Sequence, residues 1–197
     1  MRVLIIGSGG REHAFAHAIR QSDRLSALFV APGNAGILQL ADSAPVDVAD
    51  HSAVGHFCEA ERIDLVIVGP EAPLVDGLAD SLRARGVAVL GPSQAAAELE
   101  GSKAFVKQLA FANDVPTADS QTHDQVDTAL AALDDFALPV VVKADGLASG
   151  KGVIIAETKA QAEDAVRACF DGAFGAAGSR VVIEEFLSGE EISCFAL

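Results

Sequence analysis

The residues of this sequence best suited to phosphate chemistry are a lysine and the glycines around it, in the stretch GLASGKGVII. A Walker A loop reads G-x-x-x-x-G-K-[ST] and runs into a helix. Here Gly150 lies one residue too close to Gly146, and Gly152 stands where the serine or threonine should be. A strand-like run follows Lys151 at once. The pattern favours a lid between two antiparallel strands that folds over a polyphosphate, with a glycine-rich hairpin and a solvated lysine as the open alternative.

A second lysine, Lys143, ends the run PVVVKA, whose valines indicate a buried strand. A lysine at the end of such a strand costs free energy unless it meets an anion. Further along, the segment VVIEEFLSGEEIS carries four acidic residues around a turn: Glu184, Glu185, Glu190 and Glu191. This turn is either simply solvated or an adenine-binding hinge. In the hinge, the backbone of 185–187 would hydrogen-bond the base and one carboxylate would hold ribose hydroxyls.

Near the start of the chain, GSGGRE follows an apolar run and opens a predicted helix. Gly9 and Gly10 would let the backbone approach an anion at the helix N-terminus, and Arg11 could add a charge-assisted hydrogen bond. The dinucleotide fingerprint G-x-G-x-x-G is not met, because Glu12 replaces its third glycine and the next strand lacks an acid at its end. An NAD-dependent oxidoreductase is therefore disfavoured. A tight turn with a solvated arginine is the alternative to an anion site.

The first hundred residues alternate apolar runs with helical patterns, which predicts βαβ units and an open parallel sheet flanked by helices. The predicted strands are 2–6, 25–30, 64–69 and 86–92, and the predicted helices are 11–21, 51–62 and 74–85. The loops PGNAG and GPEAP should end at the same sheet edge as GSGG, where such sheets bind ligands. There Glu71 could face an amine, or be an ordinary carboxylate at a helix N-terminus.

The pattern changes after residue 100, where the order of elements predicts an α+β unit. The predictions are a helix over 102–112 capped by Ser102, an extended segment at 115–122, a helix over 124–135, strands at 139–144 and 152–157, a helix over 158–170 and a strand over 180–187. The final ISCFAL is typical of the middle of a strand, so we expect a truncated domain. We place domains at 1–101 and 119–197, joined by a helix and connection at 102–118.

Composition limits the kinds of partner. The net charge of −14 leaves no basic surplus for a nucleic-acid backbone. No apolar run approaches the ~20 residues that span a bilayer, and the first residues lack the pattern of a signal peptide. Cys58, Cys169 and Cys194 are far apart and odd in number, which indicates neither a metal site nor a disulfide framework. These features predict a cytoplasmic protein that acts on small molecules, not on nucleic acid or membranes.

Seven motifs, in order, cover nearly the whole chain: VLIIGSGGREHA, APGNAG, VGPEAPLVDGLAD, GPS, LEGSKAF, VVKADGLASGKGV and VVIEEFLSGEEIS. They closely resemble the phosphoribosylamine–glycine ligase (glycinamide ribonucleotide synthetase) family of the ATP-grasp superfamily. The resemblance implies a Rossmann-like substrate-binding domain followed by the small nucleotide-binding subdomain of an ATP-grasp fold, incomplete here. It also implies a phosphoribosylamine site at Gly9, Gly10, Arg11, Asn34 and Glu71.

The same resemblance implies an ATP site in the second part of the chain. Lys103, Lys143 and Lys151 would stabilise the phosphates electrostatically and are the candidate catalytic residues. The other ATP-binding candidates are Gly150 and Gly152 in the mobile loop, Glu184, Glu185 and Leu187 in the adenine hinge, and Glu191 on the ribose.

Members of this family join glycine to 5-phosphoribosylamine in purine biosynthesis, using ATP and Mg²⁺ or Mn²⁺ and passing through glycyl phosphate. Because family chains are much longer, we expect the metal ligands in a missing C-terminal half and no metal site in this fragment. We also expect a monomer that binds ATP weakly and has no turnover by itself. The alternatives are another ATP-grasp carboxylate–amine ligase and a non-catalytic nucleotide-binding module.

Overall fold

The structure is a computed structural model that describes residues 1–148 and 152–194. The chain forms two compact units, Met1–Leu99 and Glu100–Leu197, each with a sheet of its own. Within the described residues, no helix combines the length and the apolar character needed to cross a membrane.

The first unit is an open parallel sheet of five strands in the order β3-β2-β1-β4-β5, flanked by helices, which confirms the predicted fold class. Its strands are β1 (Arg2–Gly7), β2 (Ala27–Pro32), β3 (Asp42–Ser43), β4 (Leu65–Val68) and β5 (Ala88–Leu90). Its helices are α1 (Gly10–Arg20), α2 (His51–Ala60), α3 (Glu71–Val75), α4 (Leu78–Ala84) and a short 3₁₀ turn at Ile37–Gln39, with α5 (Gln94–Gly101) leading into the second unit.

Both faces of this sheet are covered, and β1 supplies side chains to each of them. Leu4 and Ile6 pack in the cluster that contains residues of α2 and α4, whereas Val3 and Ile5 pack in the cluster that contains residues of α1. The alternation follows from the period of two in a strand. A continuous apolar run such as VLII is therefore what a doubly covered parallel strand requires.

The helix predicted over 74–85 is two helices, because the chain turns at Gly77. This residue has a φ of +92°, a left-handed conformation that glycine adopts at little cost and that ends a helix. The short strand β3 and the helix α5 were not predicted. Two residues of strand and an alanine-rich segment give little periodicity from which to predict them.

The second unit contains a four-stranded antiparallel sheet in the order β6-β9-β7-β8. Its strands are β6 (Ser120–His123), β7 (Val140–Ala144), β8 (Val153–Ala156) and β9 (Val181–Glu185). Its helices are α6 (Lys103–Ala112), α7 (Val126–Ala132) and α8 (Lys159–Ala168), with short turns at Leu133–Asp135, Cys169–Ala173 and Gly175–Ser179. The predicted strand at the end of the chain is wrong for 192–194, which are irregular, and its remainder lies outside the described residues.

The two faces of this antiparallel sheet differ in character. In β7, Val142 lies in the core with residues of α7 and α8, whereas the next residue, Lys143, lines an open cleft on the other face. In β9, Ile183 is in the same core and Glu184 lines the same cleft. Side-chain alternation thus brings the charged residues of two neighbouring strands to one face.

The predicted cap of α6 is present. The predicted cap Ser102 accepts a hydrogen bond from the Phe105 N–H at 3.1 Å. The cysteines Cys58 and Cys169 are buried in the two cores, and Cys194 is exposed, all three without a disulfide. Burial raises the pKa of the Cys58 thiol to about 11, with a smaller contribution from Glu59. The Cys58 thiol is therefore protonated at neutral pH and acts as a small apolar side chain.

Candidate functional site

A cleft of about 810 Å³ lies over the polar face of the second sheet. It is large enough for a nucleotide-sized ligand. Its wall is built from β7, β8 and β9, from the segment before β6 and from the turn after β9. The lining residues are Ala118, Val141, Lys143, Val153, Ile155, Glu184, Glu185, Phe186, Leu187, Ser188, Gly189, Glu190 and Glu191. Apolar side chains such as Val153 and Ile155 are about half exposed there, which suits the flat face of a base.

The anion that Lys143 was expected to need is the carboxylate of Glu184. The Lys143 ammonium donates to Glu184 Oε2 at 2.7 Å, and the Glu184 side chain is only 6% exposed. The register of β7 and β9 explains this pairing, because Lys143 lies opposite Val182 and Val141 lies opposite Glu184. Lys143 and Glu184 are therefore diagonal neighbours on one face of the sheet. The same Oε2 lies 3.3 Å from the ammonium of Lys107.

Lys103, the first residue of α6, lies near Lys143 and Glu184. Its ammonium donates to the Gly146 carbonyl at 2.7 Å, at the beginning of the glycine-rich segment. Burial lowers the pKa of Lys103 most, the positive charge of Lys143 lowers it further, and Asp145, Glu184 and Glu100 partly oppose this. The structure therefore brings together two of the three lysines that were expected to hold phosphates.

Asp145 connects the elements that carry these lysines. Its buried carboxylate accepts from the Ser102 hydroxyl at 3.1 Å, from the Ala104 N–H at 3.0 Å and from Arg180 Nε at 2.8 Å. Ser102 and Ala104 are the two neighbours of Lys103. One carboxylate thus fixes the start of α6 to the end of β7 and to the residue before β9.

The third expected lysine, Lys151, and the neighbouring Gly150 lie outside the described residues. Gly152, which follows them, is buried, and its carbonyl accepts from the Ala144 N–H at 2.8 Å. A Cβ atom on Gly152 would lie 2.6 Å from the Cβ of Ala148, so a side chain there would force the two segments apart. The glycine at this position is required by the close return of the chain onto β7.

The predicted adenine hinge forms one end of the cleft. The Glu185 N–H is already engaged, since it donates to the Asp119 carbonyl at 3.0 Å, and a Glu185 carboxylate oxygen accepts from the Asp119 N–H at 3.0 Å. The Glu185 carbonyl is thus the backbone group that this residue could offer to a base. Leu187 is 64% exposed, and Glu191 is exposed at the rim of the cleft.

A second candidate site lies at the carboxyl edge of the parallel sheet, in the first unit. Arg11, in the first turn of α1, donates through Nη1 to the Gly69 carbonyl at 2.5 Å and to Glu71 Oε1 at 3.1 Å. The backbone N–H of Glu71 lowers the pKa of its carboxyl most, and Arg11 lowers it further, against an opposing effect of burial. Both side chains remain partly exposed, so an anion could approach Arg11 beside the glycines Gly9 and Gly10.

Asn34 joins the PGNAG loop to the first glycine-rich turn. Its amide nitrogen donates to the Ser8 carbonyl at 2.7 Å, and its Oδ1 accepts from the N–H groups of Gly36 and Ile37 at 2.9 and 3.0 Å. The bond to Ser8 joins two of the predicted substrate loops, and the other two bonds hold the PGNAG loop in its own conformation. The structure thus places Asn34, Arg11 and Glu71 at one sheet edge, with Asn34 in a supporting position.

Glu12 stands at the position of the third glycine of the dinucleotide fingerprint, and its side chain occupies the space over the ends of the strands. Its carboxylate is 4% exposed and accepts from the Gly9 N–H at 2.6 Å. A Cβ on Gly69 would lie 2.0 Å from Glu12 Oε1, and a Cβ on Gly7 would lie 2.6 Å from Glu12 Cγ. The glycines thus accommodate a buried carboxylate of the chain itself, in keeping with the mismatch to the NAD fingerprint.

Three contributors to these sites had no assigned role in the sequence analysis: Lys107, Asp145 and the buried side chain of Glu12. A lysine, an aspartate or a glutamate gives no signal of burial by its type alone, since such residues are mostly exposed. Within 1–148 and 152–194, no group of three or more His, Cys, Asp or Glu side chains is placed to hold a metal ion.

The fold and the cleft of the second unit define the class of the protein as ATP-grasp. Residues 101–197 match the family model described as phosphoribosylglycinamide synthetase, ATP-grasp (A) domain, and residues 1–100 match the model of the N domain of the same synthetase. The chain belongs to the phosphoribosylglycinamide synthetase family.

Individual relatives agree with this family. The phosphoribosylamine–glycine ligases of Mesorhizobium japonicum and Agrobacterium fabrum are 53% and 54% identical over 197 residues, which is 100% of this chain and 46% and 47% of those proteins. The crystal structure of a phosphoribosylamine–glycine ligase from Thermotoga maritima superposes with a TM-score of 0.79 at 29% identity, covering 96% of this chain and 45% of that one. The chain spans about half the length of the curated relatives it matches.

Proposed function

We propose that this chain provides the nucleotide-binding cleft and the sheet-edge substrate site of a phosphoribosylamine–glycine ligase. The reaction joins glycine to 5-phosphoribosylamine with ATP, and gives glycinamide ribonucleotide, ADP and phosphate in purine biosynthesis. The observation that carries the proposal is the match of both units to the two consecutive domain models of one synthetase family. We expect the protein to act as a monomer. Its three free cysteines suggest a reducing cytoplasm as its location.

The ATP site is proposed at the cleft of the second unit. The apolar wall with Val153 and Ile155 would take the adenine, and the polar end with Lys143 would take the phosphates. Lys103, which lies near Lys143, would reach the phosphates from beside the cleft. Among the rim residues, Glu191 would hold the ribose hydroxyls. The lid with Gly150, Lys151 and Gly152 remains a prediction from the sequence.

The phosphoribosylamine site is proposed at the sheet edge of the first unit. Gly9, Gly10 and Arg11 would bind the phosphate through helix N–H groups and a guanidinium. Glu71 would accept a hydrogen bond from the amine. Asn34 would keep the two loops in place through its bonds to Ser8 and Gly36.

The chemistry consists of two displacements, in which this chain would supply positioning and charge. In the first, a glycine carboxylate oxygen bonds to the γ-phosphorus of ATP, the bond to ADP breaks, and glycyl phosphate forms. In the second, the phosphoribosylamine nitrogen bonds to the glycyl carbonyl carbon, phosphate leaves, and the nitrogen loses a proton. Lys103 and Lys143 would neutralise the charge of the transferred phosphoryl group, which is the main need of such a transfer. A divalent ion, Mg²⁺ or Mn²⁺, is expected to accompany ATP.

The nucleotide site is tested by calorimetric titration of this chain with ATP, with and without magnesium. We expect Lys143→Met to weaken ATP binding by about tenfold or more, because a charge-assisted contact to phosphate is lost. Lys159→Met is the matched control, since Lys159 is 52% exposed and pairs with Asp134 away from the cleft. Equal ATP affinities for the two variants would contradict the placement of the phosphates at Lys143.

The substrate is tested by titration with glycinamide ribonucleotide, the stable product, which distinguishes this ligase from other ATP-grasp ligases. We expect binding that Arg11→Met weakens by about tenfold through loss of the phosphate contact. Arg20→Met is the control on the same helix, because Arg20 is exposed in the last turn of α1. A chain that binds ATP but not this ribonucleotide would favour a ligase with another carboxylate and amine.

A further inference from the structure

Lys107 is a buried lysine in the middle of α6, and its side chain is only 11% exposed. A buried ammonium is costly unless its N–H groups are satisfied and its charge is paired. Its nitrogen donates to Thr117 Oγ1 at 2.8 Å and to the Ala118 carbonyl at 2.8 Å, and it lies 3.3 Å from Glu184 Oε2. These three oxygens match the three donors of an ammonium group.

The partners of Lys107 belong to the wall of the nucleotide cleft. Ala118 and Glu184 both line it, one from the segment before β6 and the other from the end of β9. The helix of Lys107 also carries Lys103, one turn earlier. A single ammonium group thus joins the helix to two separate parts of the cleft wall.

Glu184, Lys143 and Lys107 form a cluster of one negative and two positive charges. Glu184 Oε2 lies 2.7 Å from the Lys143 ammonium and 3.3 Å from the Lys107 ammonium, so two cations share one carboxylate oxygen. The group of three has one positive charge in excess. If Lys107 lost its charge, Glu184 would face Lys143 alone, and the remaining pair would be neutral.

We propose that Lys107 is a positioning residue of the nucleotide cleft. It holds Glu184 and Ala118 in the cleft wall, and it offsets the charge of Glu184 so that Lys143 presents a positive charge to a polyphosphate. The nucleotide part of this inference rests on the proposed function. The arrangement of the three charged side chains does not depend on it.

The test compares the affinities of this chain for ATP and for adenosine by calorimetry. In Lys107→Met we expect ATP binding to weaken by about tenfold and adenosine binding by less than about threefold, because the loss falls on the phosphate contacts. Lys159→Met should leave both affinities unchanged. Equal weakening of ATP and adenosine in Lys107→Met, or no weakening of either, would overturn the proposal.

A double variant separates charge balance from a loss of folding. In Lys107→Met/Glu184→Gln, the carboxylate that would neutralise Lys143 is gone together with the ammonium of Lys107. We expect this variant to bind ATP at least about threefold more tightly than Lys107→Met does, since the Lys143 charge is again in excess. Should Lys107→Met fail to fold, the double variant decides by itself, and loss of ATP binding by its folded form would count against the proposal.

A measurement without nucleotide keeps this inference separate from the proposed function. The ¹⁵N signal of the Lys143 ammonium, assigned by its disappearance in Lys143→Met, should shift in Lys107→Met and stay in place in Lys159→Met. If the chain binds no ATP, the proposed function fails, and the ammonium signal still decides the positioning role. An unmoved Lys143 signal in Lys107→Met would disprove that role.

Discussion

At the scale of single residues, the environment of Lys103 disfavours its positive charge. Burial lowers its pKa most, and the nearby Lys143 lowers it further. Phosphate groups placed beside Lys103 would favour the charged form and raise the pKa again. We therefore expect ATP binding to take up protons in alkaline buffer, at a pH near the lowered pKa of this residue.

The measurement is calorimetric titration at several alkaline pH values below 10.5, the ordinary pKa of lysine, which locates the effect without assuming a pKa. At each pH, two buffers of different ionisation enthalpy reveal the number of protons bound. Lys103→Met should abolish most of the proton uptake, while the control Lys159→Met should retain it. Proton release on binding, or an uptake that Lys103→Met does not reduce, would place the phosphates away from this ammonium.

The same lowered pKa has a consequence for stability without ligand. Above the folded-state pKa of Lys103 and below its ordinary value of 10.5, the unfolded chain binds more protons at this residue than the folded chain does. The contribution of Lys103 to the free energy of unfolding therefore rises with pH in this window, and its cost is fully present below it. Bound phosphates would remove this dependence, because they restore the pKa.

The contacts of a single residue could be predicted only in part when its partner lies on another strand. The position of Lys143 at the end of a valine run indicated that an anion must be near, and the structure supplies Glu184. The identity of that anion could not be predicted, because it depends on the register of β7 and β9. Lys107 gave no signal at all, since a lysine in a helix is usually solvated.

At the scale of elements, the position of α6 depends on Asp145. Its carboxylate accepts hydrogen bonds from Ser102 and Ala104 on either side of Lys103, and it pairs with Arg180 before β9. We expect Asp145→Ala to lower the free energy of unfolding by roughly 2–4 kcal/mol, because buried donors lose their acceptor and Arg180 its partner. Asp145→Asn should cost about half as much, since its amide oxygen can still accept from the Ala104 N–H.

Urea denaturation of the chain measures these differences. The control is Asp134→Ala, which removes an exposed partner of Lys159 and should leave the denaturation midpoint unchanged. If Asp145→Ala behaved like this control, the carboxylate would not hold the helix to the sheet.

Helices and strands were predictable where the spacing of apolar residues stays the same over several turns of a helix or along a whole strand. The strands β1, β4, β7 and β9 were predicted from their apolar runs. Helical segments between the strands of the first unit predicted its parallel sheet, and the short loop between β7 and β8 predicted an antiparallel pair. The break at Gly77 was missed because α3 and α4 together present a nearly continuous helical pattern. A left-handed glycine interrupts the backbone without interrupting the pattern of apolar side chains.

At the scale of the whole molecule, the net charge of the chain has the same sign as the charge of the proposed polyphosphate ligand. The chain has a net charge of −14, and four acidic residues line the same cleft as Lys143: Glu184, Glu185, Glu190 and Glu191. At long range a polyphosphate is therefore repelled, whereas at hydrogen-bonding distance the lysines attract it. Salt screens the long-range part far more than the contacts inside the cleft.

The expected consequence is an association rate that increases with ionic strength. Between about 20 and 200 mM KCl, we expect the association rate constant of a fluorescent ADP analogue to rise by roughly two- to fivefold, since repulsion by the net charge is screened. Stopped-flow mixing at several nucleotide concentrations measures this rate. The corresponding adenosine analogue is the control and should show no salt dependence, because it carries no phosphate. A rate that falls with salt would mean that the lysine cluster, and not the net charge, dominates the field through which the nucleotide approaches.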